Sequence, residues 1–234
     1  SKLNIFKKSK TITINILSKK QQLISNNFAK KNPDWKDIEY DLLKNGNPII
    51  KNCVSNLDCK IIWQTKKGYG NAIVEGINHS ETKYSCIFYA DGSTDPKFIK
   101  PMLNMLEEHK YDFIFGSRYE KNAHSFDDNI ITRIGNFFFT FIGNFFMKLK
   151  LTDILFTYIL AKTEKMKSLK LESDDYCLCI EIPFKVKLSK FKYSTYPCVE
   201  RKRFADQKKV KAFSDGLKIL IYFFKKYLDF INRK

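Results

Sequence analysis

The sequence predicts an α/β fold: an open, twisted, mostly parallel sheet with helices on both faces. Two observations predict it. Short β-branched or aromatic runs alternate with helical segments through the first half of the chain. The runs also end in polar or glycine-containing turns at Lys44-Asn45, Lys67-Gly68, Asp91 and Arg118. Open parallel sheets bind ligands beyond the carboxyl ends of their strands, so these four turns outline one candidate crevice suited to a phosphorylated ligand. The size agrees, since 234 residues with 44% hydrophobic content can bury a substantial core.

The elements follow in order. Thr11-Ile12-Thr13-Ile14-Asn15-Ile16 alternates as a half-buried strand does. A polar helical segment covers about 19–31. Residues 37–43 read as a second strand, closed by the turn signal Lys44-Asn45-Gly46-Asn47. Residues 59–64 read as a third strand, followed by Lys67-Gly68-Tyr69-Gly70 and a helix from Asn71 to about Asn78. Residues 84–89 form a fourth strand candidate, and Pro96 to Glu108 a helix that opens on proline. Residues 112–115 form a fifth strand candidate ending at Gly116-Ser117-Arg118.

The second half differs. Ile130 to Leu151 repeats Gly-Asn-Phe-Phe at Gly135 and Gly143, and reads either as a buried helix pair or as a surface that meets lipid. Leu178 to Ile182 reads as an apolar, strand-like run whose Glu181 is a buried structural partner for a basic residue. Leu217 to Ile231 reads as an aromatic helix interrupted by Lys225 and Lys226, lying on a membrane or on the domain rather than crossing a bilayer.

A formal net charge of +17 favours an anionic partner. Lysine supplies most of it, and only five arginines occur: Arg118, Arg133, Arg201, Arg203 and Arg233. Arginine's planar fork suits phosphate, so these positions are more informative than the lysines. Charge alone also admits a nucleic-acid binder, but no aromatic-basic motif accompanies it. The six cysteines show no zinc spacing and read as reduced thiols in a cytosolic setting. The start carries no signal-peptide pattern, and no charge-free apolar run of about 18 residues suggests a membrane span. His79 and His124 follow no ligand spacing.

Four segments in sequence order carry a family resemblance. They are Lys67-Gly68-Tyr69-Gly70-Asn71-Ala72 with Gly76, Tyr89-Ala90-Asp91-Gly92-Ser93-Thr94-Asp95-Pro96, Phe115-Gly116-Ser117-Arg118-Tyr119, and Glu200-Arg201-Lys202-Arg203 with Lys208-Lys209-Val210. Together, over about residues 11–220, the chain resembles family-2 glycosyltransferases, in particular those that use dolichyl or polyprenyl phosphate. The resemblance implies a GT-A, Rossmann-like fold over 1–216, followed by an amphipathic basic helix over 217–234. It implies hexosyl transfer from a UDP- or GDP-linked sugar to a polyprenyl phosphate, at the cytoplasmic face of a membrane to which the protein binds peripherally.

The resemblance also distributes roles. Asp91 is the implied ligand of Mg²⁺ or Mn²⁺. Such hard cations take oxygen ligands and neutralise the departing diphosphate. Lys44, Asn45, Lys67, Gly68, Asp91, Arg201, Arg203 and Lys209 are the implied donor-binding residues. Arg118 and Arg133 are the implied grip on the acceptor phosphate and, with Asp91, the implied catalytic residues. An ionised phosphate acceptor needs no general base.

The sequence departs from the family pattern on the donor side. Lys19-Lys20 stand in a region where the family is acidic, and Lys44-Asn45-Gly46-Asn47 replaces Asp-Asp-Gly-Ser. Tyr89 replaces the first carboxylate of Asp-x-Asp, and Thr157-Tyr158-Ile159 replaces Gly-Phe-Arg/Lys. These departures leave a second expectation open: a non-catalytic relative that keeps the fold as a binding or partner module.

Overall fold

The computed structural model describes residues 8–203 and 212–231. The chain forms two compact units, residues 1–63 and 64–234.

The first unit is built from antiparallel pairs. Strand β1 (Thr11–Ile16) pairs with β4 (Ser55–Lys60), Thr11 facing Lys60 and Ile16 facing Ser55. Strands β2 (Tyr40–Leu42) and β3 (Pro48–Ile50) form a hairpin whose turn contains Gly46 at φ +80°. This corrects the expectation of parallel strands here. The β2–β3 link is far too short for the crossover of a dozen or more residues that parallel pairing requires. A capped turn, Lys19–Gln21, leads into α1 (Gln22–Phe28), where Ser18 N–H donates to Gln21 Oε1 at 2.9 Å. Asn15 ties the unit together: its Oδ1 accepts from Ile50 N–H at 3.0 Å and from Asn56 Nδ2 at 2.6 Å.

The second unit holds a four-stranded sheet in the order β5 (Tyr84–Cys86), β8 (Ile159–Lys162), β6 (Phe113–Ser117), β9 (Tyr193–Pro197). Strand β8 is antiparallel to both β5 and β6, while β6 and β9 are parallel. Three strands therefore share one direction, but two of the three pairings are antiparallel. The sheet is mixed where the sequence suggested a mostly parallel one, because β8, whose four residues carry no strong alternation, inserts between β5 and β6. A two-residue parallel bridge, β7 (His124–Ser125) with β10 (Val199–Glu200), lies apart from this sheet.

Alternation along the strands places helices on both faces. Phe113, Phe115, Ile159 and Ala161 enter one core cluster, which also includes residues of α2 (Tyr69–Asn78), α4 (Ile130–Met147), α5 (Thr163–Ser168), α6 (Leu178–Leu188) and α7 (Ala212–Ile231). Ile114 and Leu160 face the other way, with Tyr158 and with Met102 and Leu106 of α3 (Ile99–Glu108). The helix predicted from Pro96 begins there as a 3₁₀ turn, Pro96–Phe98, with Asp95 as its cap.

Two readings of the second half change. The apolar run at Leu178 is helix, not strand: α6 buries residues on every side, among them Leu178, Ile180, Ile182, Phe184 and Val186, so no amphipathic period marks it. Residues 130–147 form one continuous helix rather than a pair. Asn129 caps it by accepting from Thr132 N–H at 2.9 Å, and it ends where Lys148 turns left-handed at φ +51°. By length and composition α4 is apolar enough to cross a membrane, although it carries Arg133.

Candidate active site

The loop after β5 carries the motif Tyr89–Pro96. Asp91 Oδ1 accepts from Ser93 N–H at 3.0 Å and from Ser93 Oγ at 2.7 Å, closing a tight Asx turn in which Gly92 takes φ +85°. Thr94 Oγ closes the loop base on the Tyr89 carbonyl at 3.0 Å. Asp95 is buried and accepts from Lys97 N–H at 3.1 Å, while Tyr158 donates its hydroxyl to the Asp95 carbonyl at 2.9 Å.

The segment after β10 crosses this loop. Arg201 N–H donates to the Ser93 carbonyl at 2.8 Å, and the Arg201 guanidinium bonds Asp95 Oδ2. Arg203 Nε lies 3.4 Å from Asp91 Oδ2 and 3.3 Å from Asp127 Oδ2. Burial opposes ionisation of Asp91, but the Ser93 hydroxyl and amide and the Arg203 charge outweigh it and hold the carboxyl below its usual range. Asp91, Arg201 and Arg203 are thus brought together. Lys209 lies outside the described residues.

Arg118 stands next to this cluster, since Asp127 meets Arg203 and its neighbour Asp128 meets Arg118. Arg118 Nε and Nη2 donate to the two oxygens of Asp153 at 2.7 and 3.0 Å, and Nη1 donates to Glu200 Oε2 at 3.0 Å. Asp128 lies 3.5 Å away. The guanidinium is 9% exposed and stacks over Phe156 at 4.6 Å. Burial disfavours its charge, but the three carboxylates more than restore it, and its pKa rises further above the ordinary value. Here Arg118 first holds the fold: it ties the end of β6 to Asp153 and to β10.

Arg133 is exposed on the first turn of α4 and, like Arg118, lies over the Tyr119 ring, at 5.9 and 5.3 Å. Arg118, Tyr119, Ser125, Asp128 and Arg133 line one pocket of about 190 Å³. The predicted acceptor pair therefore shares a pocket, in which Arg133 presents the exposed cation.

The Gly-x-Gly segment opens α2 against the backbone of residues 173–174. Gly70 and Asn71 N–H donate to the Asp174 carbonyl at 2.8 and 3.2 Å, capping α2 with the chain's own backbone. A Cβ on Gly68 would stand 2.1 Å from the Asp174 oxygen, and one on Gly70 2.1 Å from the Ser173 oxygen, so only glycine fits at either position. Glu181 fixes that partner loop: it accepts from Glu172 N–H and Ser173 N–H, each at 2.8 Å, and pairs with Lys185 at 2.7 Å. The expectation of a buried acid with a basic partner holds. Lys67 is exposed beside Gly68. Lys44 and Asn45 lie in the hairpin turn of the first unit, where Asn45 Nδ2 donates to Asp58 Oδ1 at 3.0 Å.

Tyr89, at the first position of Asp-x-Asp, shares a cluster of hydroxyls with Tyr69 and Thr157. Its oxygen lies 3.0 Å from that of Tyr69, accepts from Thr157 N–H at 3.2 Å and bonds the Thr157 hydroxyl. Burial pushes its pKa up to about 12, so it stays neutral. Sequence reasoning missed Asp127, Asp128, Asp153 and Glu200. The adjacent pair Asp127-Asp128 was one available signal, beside Glu107-Glu108 and Asp174-Asp175.

Residues 30–169 match the family model described as Glycosyl transferase family 2. The chain belongs to that family. Membership implies a GT-A-type α/β fold, glycosyl transfer as the reaction class, and a nucleotide-sugar donor with an acceptor. Members of glycosyl transferase family 2 often use divalent metals, and the residues here fit such an ion poorly. Among the described residues no group of three or more His, Cys, Asp or Glu could hold one. The first carboxylate position of the motif is Tyr89, whose hydroxyl is taken by Thr157, and the space between Asp91 and Asp127 is bordered by a guanidinium.

Proposed function

We propose that this chain transfers a hexose from a UDP- or GDP-linked donor to a polyprenyl phosphate at the cytoplasmic face of a membrane. One observation carries the reading: Arg133 and Arg118 meet over one pocket at the first turn of a helix whose outer face is apolar. On α4, Ile130, Ile134, Phe137, Phe141 and Phe145 are exposed at helical spacing. Ring contacts Phe141–Phe145 at 6.1 Å, Phe145–Phe146 at 5.0 Å and Phe146–Phe224 at 6.0 Å continue this apolar surface onto α7. Lys148 and Lys150 are exposed just beyond the end of α4. Aromatic side chains flanked by lysines suit a bilayer interface, and a peripheral membrane surface would supply a lipid-borne phosphate to Arg133.

The chemistry asks little of the protein. The acceptor oxygen is already anionic and attacks without a general base. The protein positions two anions and offsets their charge. Arg133 grips the acceptor phosphate while Arg118 braces Tyr119 beneath it. Arg201 and Arg203 face the donor diphosphate.

The test is transfer from a panel of nucleotide-sugars to a short-chain polyprenyl phosphate in liposomes, read by mass spectrometry of the lipid. Formation of a glycosyl phospholipid that falls at least about tenfold in Arg133→Ala supports the proposal. Absence of product with every donor, together with no heat on titrating UDP or GDP, rejects it. A second reading, a non-catalytic relative serving as a binding module, is favoured by Tyr89 in place of a carboxylate and by the neutralisation of Arg118 by its own carboxylates.

A further inference from the structure

We propose that Arg203 is a built-in cation for the donor diphosphate, standing in the place of a divalent metal. The inference rests on the nucleotide-sugar reading above and goes beyond it by naming what balances the diphosphate charge. Three observations carry it.

The first is position. Arg203 Nε lies 3.4 Å from Asp91 and 3.3 Å from Asp127, so one positive group sits between two carboxylates contributed by different loops. A hard cation would need that space and several further oxygens. The second is the donor set. Tyr89 removes one carboxylate from the motif, and its hydroxyl is engaged with Thr157 and Tyr69 rather than with Asp91. The third is an unmet donor. Arg203 Nε is buried and makes no hydrogen bond among the described residues, although Asp91 and Asp127 lie 3.4 and 3.3 Å away. A buried N–H without an acceptor is costly, and a phosphate oxygen is the acceptor a guanidinium matches best.

Asp91 and Asp127 are then positioning residues that hold the guanidinium by charge, while the side chain as a whole stays 24% exposed. Arg201 is held in the same way by Asp95. In the transfer step, a phosphate oxygen of the acceptor forms a bond to the anomeric carbon. The bond from that carbon to the β-phosphate oxygen breaks, and its electron pair stays on that oxygen. The products are a glycosyl phospholipid and a nucleoside diphosphate, with no proton moved. Arg203 offsets the negative charge that grows on the leaving oxygen.

The experiment titrates UDP and GDP into the full chain by calorimetry, once with EDTA and once with Mn²⁺, and follows Mn²⁺ alone by electron paramagnetic resonance. The wild-type chain is expected to bind one nucleotide with affinities that agree within about threefold in the two buffers, and to take up no stoichiometric Mn²⁺ by itself. Arg203→Ala is expected to lose about tenfold or more in EDTA, and Arg203→Lys to retain most of the affinity. Thermal melting of both variants checks that they fold, and the wild-type comparison needs neither. Nucleotide binding by the wild type that requires Mn²⁺ overturns the inference while leaving the glycosyltransferase reading intact. Unchanged binding by a folded Arg203→Ala in EDTA overturns it as well. Failure of both nucleotides in both buffers rejects the two together.

Discussion

The two units of the chain are stabilised in different ways. In the first, the buried apolar residues among those described are Ile38 and Ile50, while Ile14, Ile16 and Leu57 are each 45% exposed. Its order comes from polar ties, chiefly Asn15, and from a small aromatic group in which Trp35 meets Phe28 and Tyr40, each at 4.9 Å. The second unit packs two apolar clusters onto opposite faces of one sheet, with Phe113, Ile114, Tyr158 and Ala161 fully buried. Hydrophobic burial scales with area removed from water, so the second unit carries most of the stability and the first opens at lower cost. The candidate residues divide along the same line. Asp91, Arg118, Arg201 and Arg203 on the dense unit are held by networks, whereas Lys44 and Asn45 sit on a hairpin turn of the thinner one.

Tryptophan fluorescence separates the two units, because both tryptophans, Trp35 and Trp63, lie in residues 1–63. Circular dichroism mainly follows the helices of the second. The largest expected effect is that of Arg118→Ala. It leaves Asp153 and Glu200 buried without their cation, and should cost the second unit about 3–5 kcal/mol in urea unfolding followed by dichroism. A loss of glycosyl transfer with no change in that unfolding curve would contradict the structural role given to Arg118.

Next comes Glu181→Gln. Burial raises the pKa of Glu181, but Lys185 and the Ser173 and Glu172 amides lower it further, and the net result is below the ordinary 4.5. A depressed carboxylate contributes stability that is fully present above the unfolded value and lost as pH falls through the folded one. The variant should therefore lose about 1.5–3 kcal/mol at neutral pH, with the gap to wild type closing below about pH 4. A pH-independent gap would mean that packing, not charge, holds the loop carrying Asp174.

Asn15→Ala sharpens the comparison from the other side. It should lower the fluorescence transition by about 1 kcal/mol or slightly more and leave the dichroism transition unmoved. Coincident shifts of both probes would show that the units unfold together. The smallest effect belongs to Tyr89→Phe, which removes one hydroxyl from the cluster with Tyr69 and Thr157 and should cost about 0.5–1.5 kcal/mol in the second unit.

Strongly patterned local elements were legible without coordinates. β1 was read at its observed bounds, and α2, α3 and the strand ending at Arg118 lie where their turn and cap residues indicate. The motif order was enough to reach the family. Strand β8 and helix α6 were not legible, for opposite reasons. The first is four residues long, and the second is apolar on every side, so neither carries a period.

The sequence by itself determined the family, the alternation of helices and strands, and the residue types available to the site. Those properties depend on local spacing and chemistry, which a linear chain carries in full. Only the tertiary structure decided that Arg118 is neutralised by Asp153, Glu200 and Asp128, and that Arg203 lies between Asp91 and Asp127. Charge pairing acts through space. Partners up to 112 positions apart meet because the loops after β5, β6 and β10 converge, and nothing in the spacing of the chain records that meeting.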